Sequence, residues 1–418
     1  MPQAVPCPQW KGGHKVKDSL SMRNACAIIV VIQVSNVIIL GFPSDAGGNT
    51  WISILLSTFL FVPLMLIYAR LVHLMPGKNI FEMMESVFGR VITIIICLLY
   101  AYYFMTLTGI VRGNYAEFVH IVALKNTPFI VITLSFFIVC SFLAYSGTKT
   151  MGKWCVLVLI FSVIVLGGTV IFSIPKMKLD NLMLSVGSSL EEIGITALKF
   201  LPLPFGEAII LMTMSGDFEK KVNPYKLFLT GAFVSVGLCL LVYLSNCAVL
   251  GQKTLEAVYF PSFKAASVVH IGSVGTRIEA IVAFAFIMEG ITKVAASLTA
   301  GARAVAMIFN IKKHRMLIYP IGFLTVAFSS FVFHNILEML EFTDHIYRLY
   351  APFFQILVPL ATLITAEIKI RKRKQPIRKV WEEVQEDIKE AAQDRSSENT
   401  GCTVSSTKSP SLPQAGSR

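Results

Sequence analysis

Apolar residues fall into ten long runs separated by short polar stretches. The runs cover residues 21–42, 51–74, 91–119, 128–145, 153–174, 193–214, 224–250, 274–302, 317–333 and 348–370. A helix needs about 20 apolar residues to cross the hydrocarbon core of a bilayer. The pattern therefore predicts an all-α integral membrane protein with about ten transmembrane helices. An even number of spans puts both termini on one side of the membrane.

Two of the runs are irregular. Residues 197–214 read ALKFLPLPFGEAIILMTM, with Pro202, Pro204 and Gly206 where a regular helix would have to continue. Proline removes an amide donor and clashes with the preceding turn, so the helix breaks there. Glu207 then brings a carboxylate to bilayer depth, at a cost of at least a few kcal/mol. Broken backbone is tolerated at that depth only where it is buried in protein or lines a water-filled cavity. Leu203, Pro204, Phe205, Gly206 and Glu207 are thus candidates for a mid-membrane binding site. The competing reading is a kinked helix whose glutamate pairs with a buried base. The first run carries Gln33-Val34-Ser35-Asn36-Val37, followed by Gly41-Phe42-Pro43. Polar side chains in mid-span compete with the helix for backbone hydrogen bonds. Glycine and proline mark a break or an exit turn. Discontinuous first and sixth spans are the spacing expected of a LeuT-like fold made of two inverted five-helix repeats. In such folds half-helix amides face anionic groups and unwound carbonyls face cations. A free amino acid carries both charges and suits such a pocket, with Ser35, Asn36 and Val37 on its first-span side.

Composition narrows the class. Of 418 residues, 55% are hydrophobic and 15% charged, and the mean hydropathy is +0.67. The net charge of +12 invites a nucleic-acid reading, but the bases sit in short loops between apolar runs, which excludes it. Loops on one side carry Arg70, Lys78, Arg90, Lys149, Lys220, Lys221, Lys312 and Lys313, with further bases at both termini. The opposite side carries far fewer, among them Lys125, Lys176, Lys178 and Lys253. The bias of Lys and Arg towards cytoplasmic loops places both ends in the cytoplasm. Residues 1–20 read as a cytoplasmic segment without the apolar core of a signal peptide. Residues 21–370 form the membrane domain, and residues 371–418 a basic and then disordered tail. Its run Arg371, Lys372, Arg373 and Lys374 suits anionic lipid headgroups. The eight cysteines are scattered without metal-binding or disulfide-framework spacing, so neither a metal nor a cofactor is expected. No nucleophile–base pair or phosphate loop stands out, and the protein is not expected to be an enzyme.

Other candidates lie in the eighth and third spans. At 100° per residue, Glu279, Glu289 and Lys293 fall within an arc of about 80° on one helix face. Glu289 and Lys293 are spaced i,i+4 in the order that favours an ion pair. Three readings are open for Glu289 and Lys293: an ammonium standing where a sodium ion would otherwise bind, a proton-coupling pair, or a structural lock between helices; in a proton-coupled carrier Glu207, Glu289 or Lys293 would titrate. Arg277 and Glu279 read as interfacial. In the third span Tyr103 and Thr106 are either cavity wall or part of an aromatic belt.

Taken together, these segments resemble the spore germination permease family, the B subunits of germinant receptors, within the amino acid–polyamine–organocation superfamily. Pro204-Phe205-Gly206-Glu207 matches the family's sixth-span element. Pro261-Ser262, Arg277-Ile278-Glu279-Ala280 and Lys293 match the segment around the eighth span. Pro43, Gly47 or Gly48, and Trp51, and the turn Met75-Pro76-Gly77-Lys78, match the early loops. The family's first-span Gly-x-Gly is replaced by Asn36 and Ile38. The resemblance implies a sensor in the inner membrane of a bacterial endospore, both termini on the core side. It implies partnership with a larger membrane-anchored A subunit and a lipoprotein C subunit. It also implies a small nutrient ligand, such as an amino acid, a sugar or a nucleoside, whose binding triggers germination with ion release. A proton-coupled amino acid transporter is the alternative, and a scaffold subunit that binds no ligand a third reading.

Overall fold

The computed structural model describes residues 19–43, 46–182, 189–268, 275–333 and 335–371. The N-terminal segment, the tail beyond Arg371 with the rest of the basic run expected to meet anionic lipid, and the Arg277 side chain lie outside the described residues. The chain divides into a unit of residues 1–363 and a second of residues 364–418, whose described part, residues 364–371, is helical.

Among the described residues the regular structure is helical, with nine helices long and apolar enough to cross a membrane and a tenth, Phe129–Tyr145, that is shorter. In order the long ones are Met22–Leu40, Gly47–Leu74, Arg90–Val122, Thr148–Lys176, Leu190–Thr213, Pro224–Leu250, Ile278–Ile308, His314–Val332 and Ile336–Arg371. With Phe129–Tyr145 as the fourth span they match the ten apolar runs. The first span is the most central, with 83% of its apolar window buried, whereas the fifth has 17% and is peripheral. The outward faces carry large apolar side chains such as Phe59, Leu98, Ile164 and Phe331. In water such a surface would drive aggregation, whereas in lipid it is the expected exterior.

Local signals fix the element ends. Asn79 and Ser189 each close a capping box, with Glu82 and Glu192 respectively, and so satisfy amides that a helix start leaves without partners. Asn223 caps the seventh span, whose first residue is Pro224. The first span is helical through Ser35, Asn36 and Ile38, and its irregularity falls at Gly41 (φ 75°), the exit turn before Phe42 and Pro43. A break within residues 33–37 is therefore not what the helix shows. Side chains at positions 36 and 38 restrict the backbone where glycines would free it. The sixth span does break: the helix Leu190–Phe200 gives way to a turn, a 3-10 segment Phe205–Ala208 and a short helix Ile209–Thr213. The Leu203–Pro204 peptide is cis.

One end of the bundle collects the start of the first span and the loops after the second, fourth, sixth and eighth spans. Leu20 bridges to Phe218, with Leu20 N donating to Asp217 O at 2.7 Å and Glu219 N to Leu20 O at 3.0 Å. Ser215 Oγ donates to Lys78 O at 2.8 Å. The Asp217 carboxylate accepts from Thr148 Oγ1 at 2.8 Å and pairs with Arg303. This is the span-by-span alternation expected of short loops between membrane helices, and it gathers the basic loops at one end.

Candidate functional site

The broken sixth span lies against the first, third, eighth and tenth spans, and each contributes a polar group. Glu207 follows the break in the 3-10 turn and is fully buried. Its Oε2 accepts from Lys293 Nζ of the eighth span at 2.5 Å and from Asn36 Nδ2 of the first at 3.0 Å. Both charged side chains are 0% exposed. Glu207 Oε1 has no partner among the described residues. Of the two readings of the kinked glutamate, the pairing with a buried base is thus present, and it includes the first-span asparagine.

The freed backbone of the break is satisfied by side chains from its neighbours, as helix interruption in a membrane requires. Gln33 Nε2 donates to Phe205 O at 3.0 Å. Gln355 Nε2 donates to Pro202 O at 2.9 Å and to Tyr103 Oη at 2.9 Å. The hydroxyls of Tyr103 and Tyr347 are 3.1 Å apart. Tyr68 and Tyr100 donate to the carbonyls of Gln355 and Phe354, each at 2.6 Å. Gly206 is required by this packing: a Cβ there would strike the Gln355 carboxamide and stand 2.7 Å from Leu201 O. Phe205 stacks on Phe61 at 4.7 Å between ring centroids.

A cavity of about 480 Å³ opens at the end of the bundle opposite the basic loops and reaches this site. Asn36, Val37, Leu203 and Pro204 line its floor, with Gly41, Phe42 and Pro43 beside them. Its rim carries Glu256, Glu341, Asp344, His345 and Arg348, both signs of charge together. At the basic end the Arg303–Asp217 pair and the Leu20–Phe218 bridge close the same bundle.

The structure thus brings Asn36, Val37, Leu203, Pro204, Phe205, Gly206, Glu207 and Lys293 together, with Tyr103 joined through Gln355. Ser35 enters by its backbone: its carbonyl accepts from Tyr115 Oη at 3.1 Å, while its hydroxyl turns back to Ile32 O. Thr106 donates to Tyr102 O on its own helix and does not join the site. The i,i+4 pair of Glu289 and Lys293 does not form, because Lys293 reaches across to Glu207 instead. Glu289 is buried near Ser162 and Tyr115, its Oε2 without a partner among the described residues. Gln355, Tyr115 and Tyr347 were not singled out from the sequence, and Gln33 was read only as part of the polar stretch of the first span. The signal for Gln33 and Gln355 was present, since each is an amide side chain inside an apolar run.

Fold and site define an integral membrane protein built like a secondary transporter. The model resembles the structure of Mhp1, a nucleobase-cation-symport-1 family transporter, in a closed conformation with bromovinylhydantoin bound. The TM-score is 0.58 at 14% identity, over 77% of this chain and 74% of that one. It resembles the crystal structure of MhsT in complex with L-phenylalanine equally well, with a TM-score of 0.58 at 11% identity over 83% and 98% of the two chains. These likenesses show the LeuT-type fold. The profile of the family described as spore germination protein matches residues 19–335, so this chain belongs to the spore germination permease family. It is 22% identical to spore germination protein KB of Bacillus subtilis (strain 168) over 363 residues, 85% of this chain and 97% of that protein. Family and fold together make it a non-enzymatic membrane germination protein.

Proposed function

We propose that the chain is the membrane subunit of a spore germinant receptor that binds a small nutrient of the amino acid class at the sixth-span break. The observation that carries this reading is the cavity that ends on Asn36, the residue whose amide holds the buried Glu207 carboxylate. A ligand entering from the open end meets Asn36 and the break at Leu203 and Pro204. Its ammonium group would be received by Glu207 Oε1, which has no partner among the described residues. Binding there competes with the existing contacts of Glu207, and so biases the packing of the first, sixth and eighth spans against one another. A ligand shifts such an equilibrium only by the difference in its affinity for the two arrangements. Closure at the basic end by Arg303 and Asp217 makes that end the natural gate for ion release. The proposed setting is the spore inner membrane, with the basic end and both termini facing the core. The proposed partners are the receptor's A subunit and its lipoprotein C subunit, with anionic lipid at the basic run beginning at Arg371.

A second reading is a proton-coupled amino acid transporter. It is favoured by the Glu207–Lys293 pair, an acid and a base at 2.5 Å with no exposure to solvent, and by the transporter fold. Cation release from spores separates the two. Spores carrying the wild-type chain should release cations in response to one amino acid class, and Asn36→Leu spores should need a higher concentration or fail to respond. Unchanged release from spores lacking the gene, in a strain without a redundant receptor, would overturn the sensor reading. Uptake of labelled amino acid by the purified chain in liposomes, lost in Glu207→Gln, would establish the transporter.

A further inference from the structure

Arg112 lies in the third span and is 4% exposed. Its Nη2 donates to Ser329 Oγ of the ninth span at 2.8 Å. Nε and Nη1 have no partner, and no carboxylate pairs with this guanidinium among the described residues. A buried cation without a counter-charge is costly, and in a membrane protein such a residue marks a functional site by default. The packing around it is deliberate in one respect. Gly109 and Gly113, spaced i,i+4, share the adjoining helix face; a Cβ at Gly109 would come within 2.7 Å of Ser329 Cβ, and one at Gly113 within 2.6 Å of Met339 Sδ. The two glycines let the ninth span and the start of the tenth close on the third and hold the guanidinium in place.

Beside Arg112 is a cavity of about 320 Å³, separate from the one that reaches Asn36. Phe129, Phe333 and Met339 give it apolar walls, and Glu117 and His120 add polar groups. His120 Nδ1 is buried without a partner among the described residues, and His120 packs edge-on to Phe129. Glu117 lies one and a half helical turns from Arg112 and forms no ion pair with it, so the cavity holds a cation and an anion that do not neutralise each other directly. An inorganic anion would meet Arg112 but be repelled by Glu117. A zwitterion satisfies both.

We propose that this cavity is a second ligand site, which takes a free amino acid with an apolar side chain. The carboxylate lies on Arg112, the ammonium towards Glu117, and the side chain among Phe129, Phe333 and Met339. The proposal does not depend on the reading of the sixth-span break.

Equilibrium binding of labelled L-leucine to the full purified chain in nanodiscs tests it, with L-isoleucine, L-methionine and L-phenylalanine as further probes. Asn36→Leu, which alters the central cavity only, should still bind one of these at millimolar concentration. Adding Arg112→Gln to Asn36→Leu should abolish that binding. Glu117→Gln should weaken leucine by about tenfold or more, the size of one lost charged contact of about 1.4 kcal/mol. The same change should leave competition by 4-methylpentanoate, which lacks the ammonium, unweakened. Failure of all four probes to bind Asn36→Leu would overturn the proposal, as would equal leucine binding with and without Arg112→Gln in monodisperse protein. Should Arg112→Gln not fold, the half-buried Glu117 decides: unchanged leucine affinity in Glu117→Gln overturns the site. Loss of leucine binding in Asn36→Leu with full binding in Arg112→Gln would assign the ligand to the central site alone.

Discussion

Glu207 and Lys293 illustrate how one ion pair can be indispensable without being a source of net stability. Each charge gives up its solvation on burial, at a cost of several kcal/mol per ion, and the mutual attraction repays this only with good geometry. Removing one partner leaves the other charge buried alone. Glu207→Gln or Lys293→Met should therefore each destabilise the protein by about 3–5 kcal/mol, while the double substitution should recover most of that loss. Thermal melts in detergent would check this; additive losses in the double variant would show that the two residues act independently. Asn36→Ala should cost less, since it removes one charge-assisted hydrogen bond of about 1.5–3 kcal/mol. Gly206 is the second sensitive residue. Its missing Cβ makes room for Gln355, which ties the tenth span to Pro202 O and Tyr103. Gly206→Ala should lower stability by about 1–3 kcal/mol, the usual cost of overpacking, and a melting temperature equal to wild type would refute the role given to that contact.

The sixth span shows how an interrupted helix is made tolerable as an element. Its first half begins in the Ser189–Glu192 capping box, and near its end the carbonyl of Thr213 accepts from Arg303 Nη1 at 2.8 Å. The same guanidinium pairs with Asp217, which Thr148 also holds. One arginine thus fastens the end of the broken span to the eighth, while Thr148 adds the fifth. Arg303→Gln should loosen this end selectively. A cysteine placed at the buried Ser215 should then react with maleimide about tenfold faster than in the parent, corresponding to about 1.4 kcal/mol of easier local opening. Peptide mass spectrometry would distinguish it from the native cysteines, most of which are buried. Equal rates would mean that the closure does not rest on Arg303.

Within the unit of residues 1–363, the bundle is open at one end and tied at the other. A central first span, a broken sixth span and an eighth span supplying Lys293 meet between them. Any ligand that binds this folded arrangement must also stabilise it, by about 2.7 kcal/mol at one hundred times its Kd. The amino acid ligand proposed for the sixth-span site should raise the melting temperature of the wild-type chain, with a reduced effect in Asn36→Leu. The same shift in both would place the ligand elsewhere, and the Arg112 cavity would then be the first alternative.

What the sequence determined by itself was the membrane class, the ten runs and the break of the sixth span. These depend on local composition: length and apolarity decide what can cross lipid, and Pro202, Pro204 and Gly206 forbid a continuous helix whatever surrounds them. Glu207 was legible for the same reason, as a carboxylate where none is affordable without a purpose or a partner. Which partner it takes was decided by tertiary structure. Spacing along one helix pointed Lys293 to Glu289, because i,i+4 neighbours are the only ones a sequence displays. The fold instead brings the eighth span beside the sixth-span break, and a long flexible lysine reaches the buried carboxylate there. Gln355 and Tyr115 entered the site in the same way, from spans far away in sequence. Freed backbone carbonyls are satisfied by whichever donors the packing brings near, and that is a property of the assembled bundle.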